Sequence, residues 1–241
     1  MKGILTSKLK TYYAKVNLKE YRRNFSEAIN FYGGNKFKDI LDIGSGVGSF
    51  EDATKSFGFN SFALEGFEIG LEACLNKNIN CQKFILEKGN KIPFEDGRFS
   101  LVFMNQVIEH LDKETGQFYI SEIIRVLESG GVGIINSPSK YCRIWNTDPH
   151  HVYCWKPNEL YSEIKKYKAS LGKIEIKRIP LELWMLFRYN EKIIDDWHKN
   201  VKYPKIKMLS IILAHILDKI LNVFFKTDKL LAVSNVIIIK K

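Results

Sequence analysis

A short apolar run ending in three alternating glycines, Lys38 to Phe50 (KDILDIGSGVGSF), restricts the fold more than any other part of the chain. Ile40, Leu41 and Ile43 have the apolar, β-branched character of a parallel strand covered on both faces. Asp42 interrupts the run. A carboxylate near the carboxyl end of such a strand needs donors, either N–H groups of the next loop or a cationic ligand. Gly44, Gly46 and Gly48 allow a sharp turn and let the backbone approach a ligand with no Cβ in the way. Ser49 to Phe57 then reads as a helix whose N–H groups face the same crevice.

Two kinds of ligand suit this arrangement. Dinucleotides usually take G-x-G-x-x-G, with a pyrophosphate on the helix N-terminus. This chain instead has D-x-G-x-G-x-G, and an acid two residues before the first glycine suits an ammonium group better than a phosphate. That favours S-adenosylmethionine over a nicotinamide dinucleotide.

Four ordered motifs carry a resemblance to the class I S-adenosylmethionine-dependent methyltransferases, from about Tyr12 to Lys166 with a weaker echo at the C-terminus. In LDIGSGVGSF (41–50) the resemblance implies Asp42 at the amino-acid end of the cofactor and Gly44, Ser45, Gly46 and Gly48 around its carboxylate and ribose. In FALEGFE (62–68), Glu65 would accept bonds from both ribose hydroxyls, about 20 residues after the glycine loop as in strand–helix–strand units. Gly66 and Phe67 would lie against the adenine. IPFEDGRFSLVFMNQVIEHL (92–111) is similar to the family's loop, strand and Glu-His segment, and it implies cofactor contacts from Asn105, Gln106 and Val107. EIIRVLESGGVGIINSPS (122–139) looks like the helix, glycine turn and fifth strand.

Two departures stand out. Ser100 replaces an Asp of most relatives, but its hydroxyl can bond a neighbouring backbone group, so the fold should survive. Where relatives carry an acid for the adenine amino group, this chain has Glu87, Lys88, Gly89 and Asn90; Glu87 and Lys88 are the candidates there.

The resemblance implies an α/β, Rossmann-like fold: a seven-stranded, mostly parallel sheet, its last strand antiparallel, with helices on both faces and a helical insertion before the last strand. A single domain spans 1–241, comprising a helical cap (1–37), a cofactor core (38–180), a helical insertion (181–229) and a final strand (230–241). In the cap, Tyr12 and Tyr13 resemble an aromatic pair near the cofactor, whereas Tyr21 and Phe25 read as helix packing. Strands are expected at 174–180 and 230–241.

The segment 137–160 (SPSKYCRIWNTDPHHVYCWKPNEL) resembles the loop of relatives acting on small molecules or sugars. Trp155, Pro157 and Leu160 would begin the next helix. His150 and His151, with His110 from the opposite loop, are the candidate catalytic groups; a histidine can accept a proton from a hydroxyl. The competing reading of each is a structural histidine bonded to a loop carbonyl.

Composition narrows the setting. At 241 residues with 45% hydrophobic content, the chain can build a full core. No signal-like or membrane-spanning apolar run is visible, and Cys74, Cys81, Cys142 and Cys154 lack C-x-x-C spacing, so a cytoplasmic protein with reduced thiols is expected. Cys142, His150, His151 and Cys154 could be imagined around a metal, but structural zinc usually shows tighter cysteine pairs, and no metal is expected. A net charge of +10 invites nucleic acid as a partner, yet the lysines are scattered and no aromatic-basic RNA motif accompanies them. Within 206–226, Leu209, Ile212, Leu213, Ile216, Ile220 and Phe224 face one side of a helix, with Lys207, His215, Asp218 and Lys226 opposite. Such a helix packs on its own domain, on a second subunit as a homodimer, or on a membrane surface near a lipid-linked acceptor.

The expected activity is methyl transfer to oxygen of a small molecule, sugar or lipid-linked precursor. The alternatives are an inactive S-adenosylmethionine-binding protein and an RNA methyltransferase.

Overall fold

The computed structural model describes residues 37–138, 149–180 and 232–241. The cap residues Tyr12, Tyr13, Tyr21 and Phe25, Cys142, and the amphipathic segment 206–226 lie outside the described residues, so the expectations placed on them are not addressed by it.

The described elements alternate strand and helix. β1 (Asp39–Ile43) leads through the glycine loop to α1 (Ser49–Thr54) and a 3₁₀ turn, Lys55–Phe57. β2 (Asn60–Glu65), α2 (Glu68–Asn76), β3 (Asn80–Lys83) and β4 (Phe99–Asn105) follow. A 3₁₀ turn (Ile108–His110) then precedes α3 (Lys113–Val126), β5 (Leu127–Pro138), α4 (Pro157–Lys165), β6 (Lys173–Pro180) and β7 (Ala232–Lys240). The sheet order is 3-2-1-4-5-7-6. β1 to β5 pair in parallel, and β7 runs antiparallel between β5 and β6. The seven strands and the antiparallel last strand are as expected, and β6 and β7 lie within two residues of the bounds read from the sequence, while the helical insertion expected at 181–229 lies outside the described residues.

Alternation along the central strands builds two cores, as expected of a sheet covered on both sides. Leu41, Ile43, Val102, Met104 and Ile135 pack with Tyr119, Ile120 and Ile123 of α3, while Ile40, Leu101, Phe103 and Ile134 pack with Phe50 of α1. Phe50 stacks on Phe103 with ring centroids 4.4 Å apart. Full burial of such a ring contributes roughly 1.5–3 kcal/mol.

Ser100 behaves as anticipated. Its hydroxyl accepts from Lys38 N and donates to Asp39 O, both at 2.9 Å, and so ties the starts of β1 and β4 together. The glycine turn expected before the fifth strand is instead absorbed into β5 as a bulge. Phe99 pairs with Leu127 but Leu101 pairs with Val132, and Gly130 N donates to the Lys241 carbonyl at 2.7 Å. The helix expected from Trp155 starts at Pro157, because proline suits the first helical position. Trp155 itself is a fully buried wedge under α3, edge-on to Tyr153 at 5.1 Å.

No helix among the described residues is long and apolar enough to cross a membrane.

Candidate active site

Parallel α/β sheets bind ligands at the carboxyl ends of their strands. The sequence-predicted residues that the structure describes gather at that edge. A groove of about 680 Å³ lined by Lys91, Phe94, Asp96, Arg98 and Arg125 sits at the opposite ends of β4 and β5, away from them.

The glycine loop is fixed from below. Gly44 N and Ser45 N both donate to the Leu64 carbonyl, at 2.8 and 3.2 Å, which holds the loop against the end of β2. Gly44 has φ +76°, and a Cβ there would stand 2.4 Å from Val107 Cγ2, so both conformation and contact require glycine. The same contact places Val107 directly over the loop. Gly70 of α2 is a requirement the sequence did not announce: a Cβ on it would come within 2.6 Å of the Gly46 carbonyl and 2.8 Å of Glu65 Cγ.

Glu65 is buried at the tip of β2, and its two oxygens accept from Gly46 N at 2.6 Å and Phe67 N at 2.8 Å. Burial pushes its carboxyl above the ordinary value, while these N–H donors pull it back. Both oxygens are therefore aimed at the loop edge. Phe67 beside it is 72% exposed, an apolar ring left open at the strand end. Gly66 lies close under Phe84, the residue after β3.

Asp42 is buried beneath the loop, next to Glu51 of α1. Burial is the main cause that pushes Asp42 well above the carboxylate range, and the neighbouring Glu51 adds to it. Glu51 is itself pushed up to about 8, chiefly by burial. Two acids in one dry pocket retain a proton until a cation replaces it. Glu51 was not among the sequence-predicted residues, although an acid in the first turn after a glycine loop was a readable signal.

Ser45, an expected cofactor contact, has its hydroxyl beside two thiols. Its hydroxyl lies 3.6 Å from Cys74 Sγ and 3.9 Å from Cys81 Sγ, under the loop. The Cys81 thiol, hydrogen-bonded to Cys74, raises Cys74 and is itself lowered. Gly46 and Gly48 complete the turn, with Gly48 N donating to the Ser45 carbonyl at 3.0 Å.

Past β4, Asn105 Oδ1 accepts from Asn136 Nδ2 at 2.6 Å, and Gln106 N donates to the Asn136 carbonyl at 2.8 Å. Gln106 has φ +56°, a left-handed conformation that a non-glycine residue adopts at some cost. Glu87 and Lys88 stand on the exposed segment after β3. Lys88 Nζ pairs with Glu114 Oε2 at 2.5 Å in solvent, and the segment is held from within by Tyr119, whose hydroxyl donates to the Asn90 carbonyl at 2.8 Å.

The histidines separate into two roles. The rings of His110 and His151 are edge-on with centroids 5.0 Å apart, although 41 positions divide them in the sequence. His150 supplies its carbonyl, 2.9 Å from His110 Nδ1. A carbonyl only accepts, so Nδ1 carries the proton and Nε2 is the ring's acceptor. The Glu109 carbonyl accepts from Val152 N at 2.8 Å and Tyr153 N at 3.0 Å, which sews the two loops together.

A mostly parallel sheet of this order, with a glycine loop after its first strand and an acid closing its second, is the class I S-adenosylmethionine-dependent methyltransferase fold. Residues 41–135 match the family model described as a methyltransferase domain. Among solved structures, it is similar to an S-adenosylmethionine-dependent methyltransferase from Archaeoglobus fulgidus (TM-score 0.64, 19% identity, 93% of this chain and 95% of that one). It is also similar to phosphoethanolamine N-methyltransferase 2 of Haemonchus contortus in complex with S-adenosylmethionine (TM-score 0.59, 18% identity, 91% of this chain and 52% of that one). A third, from Thermotoga maritima, is described as a possible histamine N-methyltransferase (TM-score 0.59, 14% identity, all of both chains). At these identities the likeness speaks for the fold. No curated protein sequence matches the chain.

The residues at the strand ends fit this cofactor. The Asp42–Glu51 acids suit its ammonium group, the Glu65 oxygens a ribose diol, and the open ring of Phe67 an adenine face.

Proposed function

We propose that the chain transfers a methyl group to an oxygen of a small molecule, a sugar or a lipid-linked precursor. The observation that carries this reading is the His110–His151 pair, on the turn in which His110 N donates to the carbonyl of Val107, the residue that covers the glycine loop. When bound, the cofactor supplies a methyl group on a sulfonium sulfur. The protein's part is to hold an acceptor atom in line behind that carbon and to keep water out. Good alignment alone lowers such barriers by about 7–11 kcal/mol, so positioning carries much of the rate.

Asp42 and Glu65 hold the cofactor in this reading, with Gly44, Gly46 and Gly48 letting it approach. Ser45, Gly66, Phe67, Glu87, Lys88, Asn105, Gln106 and Val107 border it. His110 Nε2 is free of the His150 carbonyl bond and can take a hydroxyl proton; His151 lies beside it. A small acceptor is supported by the Haemonchus protein, whose name specifies phosphoethanolamine.

The test is titration with S-adenosylmethionine, S-adenosylhomocysteine and NAD, followed by turnover on a panel of hydroxyl, amine and RNA acceptors. Turnover on hydroxyl acceptors supports the reading. Turnover confined to amines or RNA, or cofactor binding with no turnover on any acceptor, sinks it.

A further inference from the structure

We propose that Glu109, His110 and His151 form a binding site for a divalent transition-metal ion, with an open position for the oxygen of the methyl acceptor. One carboxylate oxygen and one nitrogen from each imidazole all lie within 4.8 Å of one another. Ligands about 2.0–2.2 Å from a shared tetrahedral ion stand roughly 3.3–3.6 Å apart, so side-chain shifts of somewhat more than about 1 Å close the set.

The backbone around the three residues prepares that closure. His151 lies between His150, whose carbonyl takes the bond from His110 Nδ1, and Val152, whose N–H bonds the Glu109 carbonyl. The segment bearing one ligand is thus bonded on both sides to the segment bearing the other two. Fixing Nδ1–H of His110 on a carbonyl also selects the tautomer that presents Nε2, the usual outer bond of a metal-ligating histidine. Glu109 is only 1% exposed, so its carboxylate has little freedom, whereas His110 is exposed and leaves a path for the ion.

The donor set selects the class of ion. Two imidazoles and one carboxylate suit zinc and its first-row neighbours, whereas magnesium and calcium prefer oxygen alone. Three protein ligands leave at least one position open, as catalytic rather than structural sites do. The Cys142, His150, His151 and Cys154 grouping set aside on the sequence alone is a different set. Cys142 lies outside the described residues, and what His150 gives the three is its carbonyl.

This inference rests on the proposed oxygen methylation and deepens it: it names an acceptor whose hydroxyl can bind the ion, and in the metal-bound site His110 Nε2 serves as a ligand while water, not the imidazole, takes the hydroxyl proton. A coordinated hydroxyl loses its proton to water more readily. Its oxygen pair then forms the new O–CH₃ bond, while the electrons of the broken S–CH₃ bond return to sulfur and leave a neutral thioether. The ion is neither oxidised nor reduced.

The experiment is calorimetric titration of chelator-treated protein with Zn²⁺ alone, and with Mg²⁺ in parallel. S-adenosylmethionine binding is measured on every sample. Wild type should bind one Zn²⁺ per chain, far more tightly than Mg²⁺. His110→Ala, His151→Ala and Glu109→Gln should each weaken Zn²⁺ by about 100-fold or more, beyond the roughly 10–100-fold typical of losing an outer partner. His150→Ala keeps its carbonyl and should stay within about twofold of wild type. Should Glu109→Gln fail to fold, the two histidine variants still decide the matter. The proposal is overturned if wild type binds S-adenosylmethionine but no stoichiometric Zn²⁺, if His110→Ala and His151→Ala retain full Zn²⁺ affinity, or if Mg²⁺ binds more tightly than Zn²⁺. Zn²⁺ binding lost in those variants, with no cofactor binding in wild type, would support the metal site and sink the methyltransferase reading instead.

Discussion

The two halves of the strand-end cleft are built in different ways. On the β1–β2 side, backbone does most of the work: Gly44 N, Ser45 N, Gly46 N and Phe67 N are spent on the Leu64 carbonyl and the Glu65 carboxylate, so loop and acid form one rigid cradle. On the β4–β5 side, side chains do it, with Glu109, His110 and His151 meeting where residues 150–153 are bonded to the 3₁₀ turn after β4. A cradle made of backbone suits a ligand that is the same in every turnover. A cluster made of side chains can be retuned for different acceptors without disturbing the fold.

The sharpest way to separate the halves is to remove one and watch the other. His110→Ala or His151→Ala should lower turnover by about 10²–10⁴-fold, the usual range for a lost acid–base group and the direction expected of a lost metal ligand as well. Cofactor affinity should stay within about twofold; comparable loss of both would mean that the halves are one site. The reverse experiment is Gly70→Val, which drives a side chain into the Gly46 carbonyl and Glu65. Overpacking of that kind costs about 1–3 kcal/mol, read as a lower Tm together with weaker cofactor binding. Asp42→Asn and Glu65→Ala each remove a charged partner, worth about 1.5–3 kcal/mol of cofactor affinity, with the fold retained by circular dichroism.

A smaller and more diagnostic effect concerns protons. Glu51 is pushed up to about 8 from an ordinary value of 4.5, so between those values the folded chain holds more protons than the unfolded one. Stability of the cofactor-free protein should therefore be full below about pH 4.5 as far as this group is concerned, and fall as pH rises toward about 8. The slope is at most about 1.4 kcal/mol per pH unit. Glu51→Gln should flatten the Tm profile, whereas an unchanged slope in that variant would place the proton elsewhere. The smallest effect is expected from Tyr119→Phe, which gives up the bond to the Asn90 carbonyl and should cost about 1 kcal/mol by urea denaturation.

Legibility in the sequence followed the same division. The cradle was readable because its parts are local: a strand, three glycines and an acid about 20 residues on encode their geometry in spacing. Strand β3 was not, since NCQK is short, polar and at the sheet edge, and lacks the alternation that marks a strand. Gly70 was silent because its requirement comes from a neighbouring loop's carbonyl. The histidines were named, but adjacency could not tell His150, which gives a carbonyl, from His151, which gives a ring. Glu109 was in plain view beside His110, yet its meeting with His151 rests on backbone bonds to Val152 and Tyr153, more than 40 positions away, which spacing does not reveal.

Titration of the chain with S-adenosylmethionine, beside its Glu65→Ala variant and with NAD as the competing ligand, tests the cradle most directly. One adenosyl ligand per chain, at least about tenfold weaker in the variant and with no NAD bound, is the predicted result. NAD binding in its place, or equal S-adenosylmethionine affinity in both proteins, would contradict it.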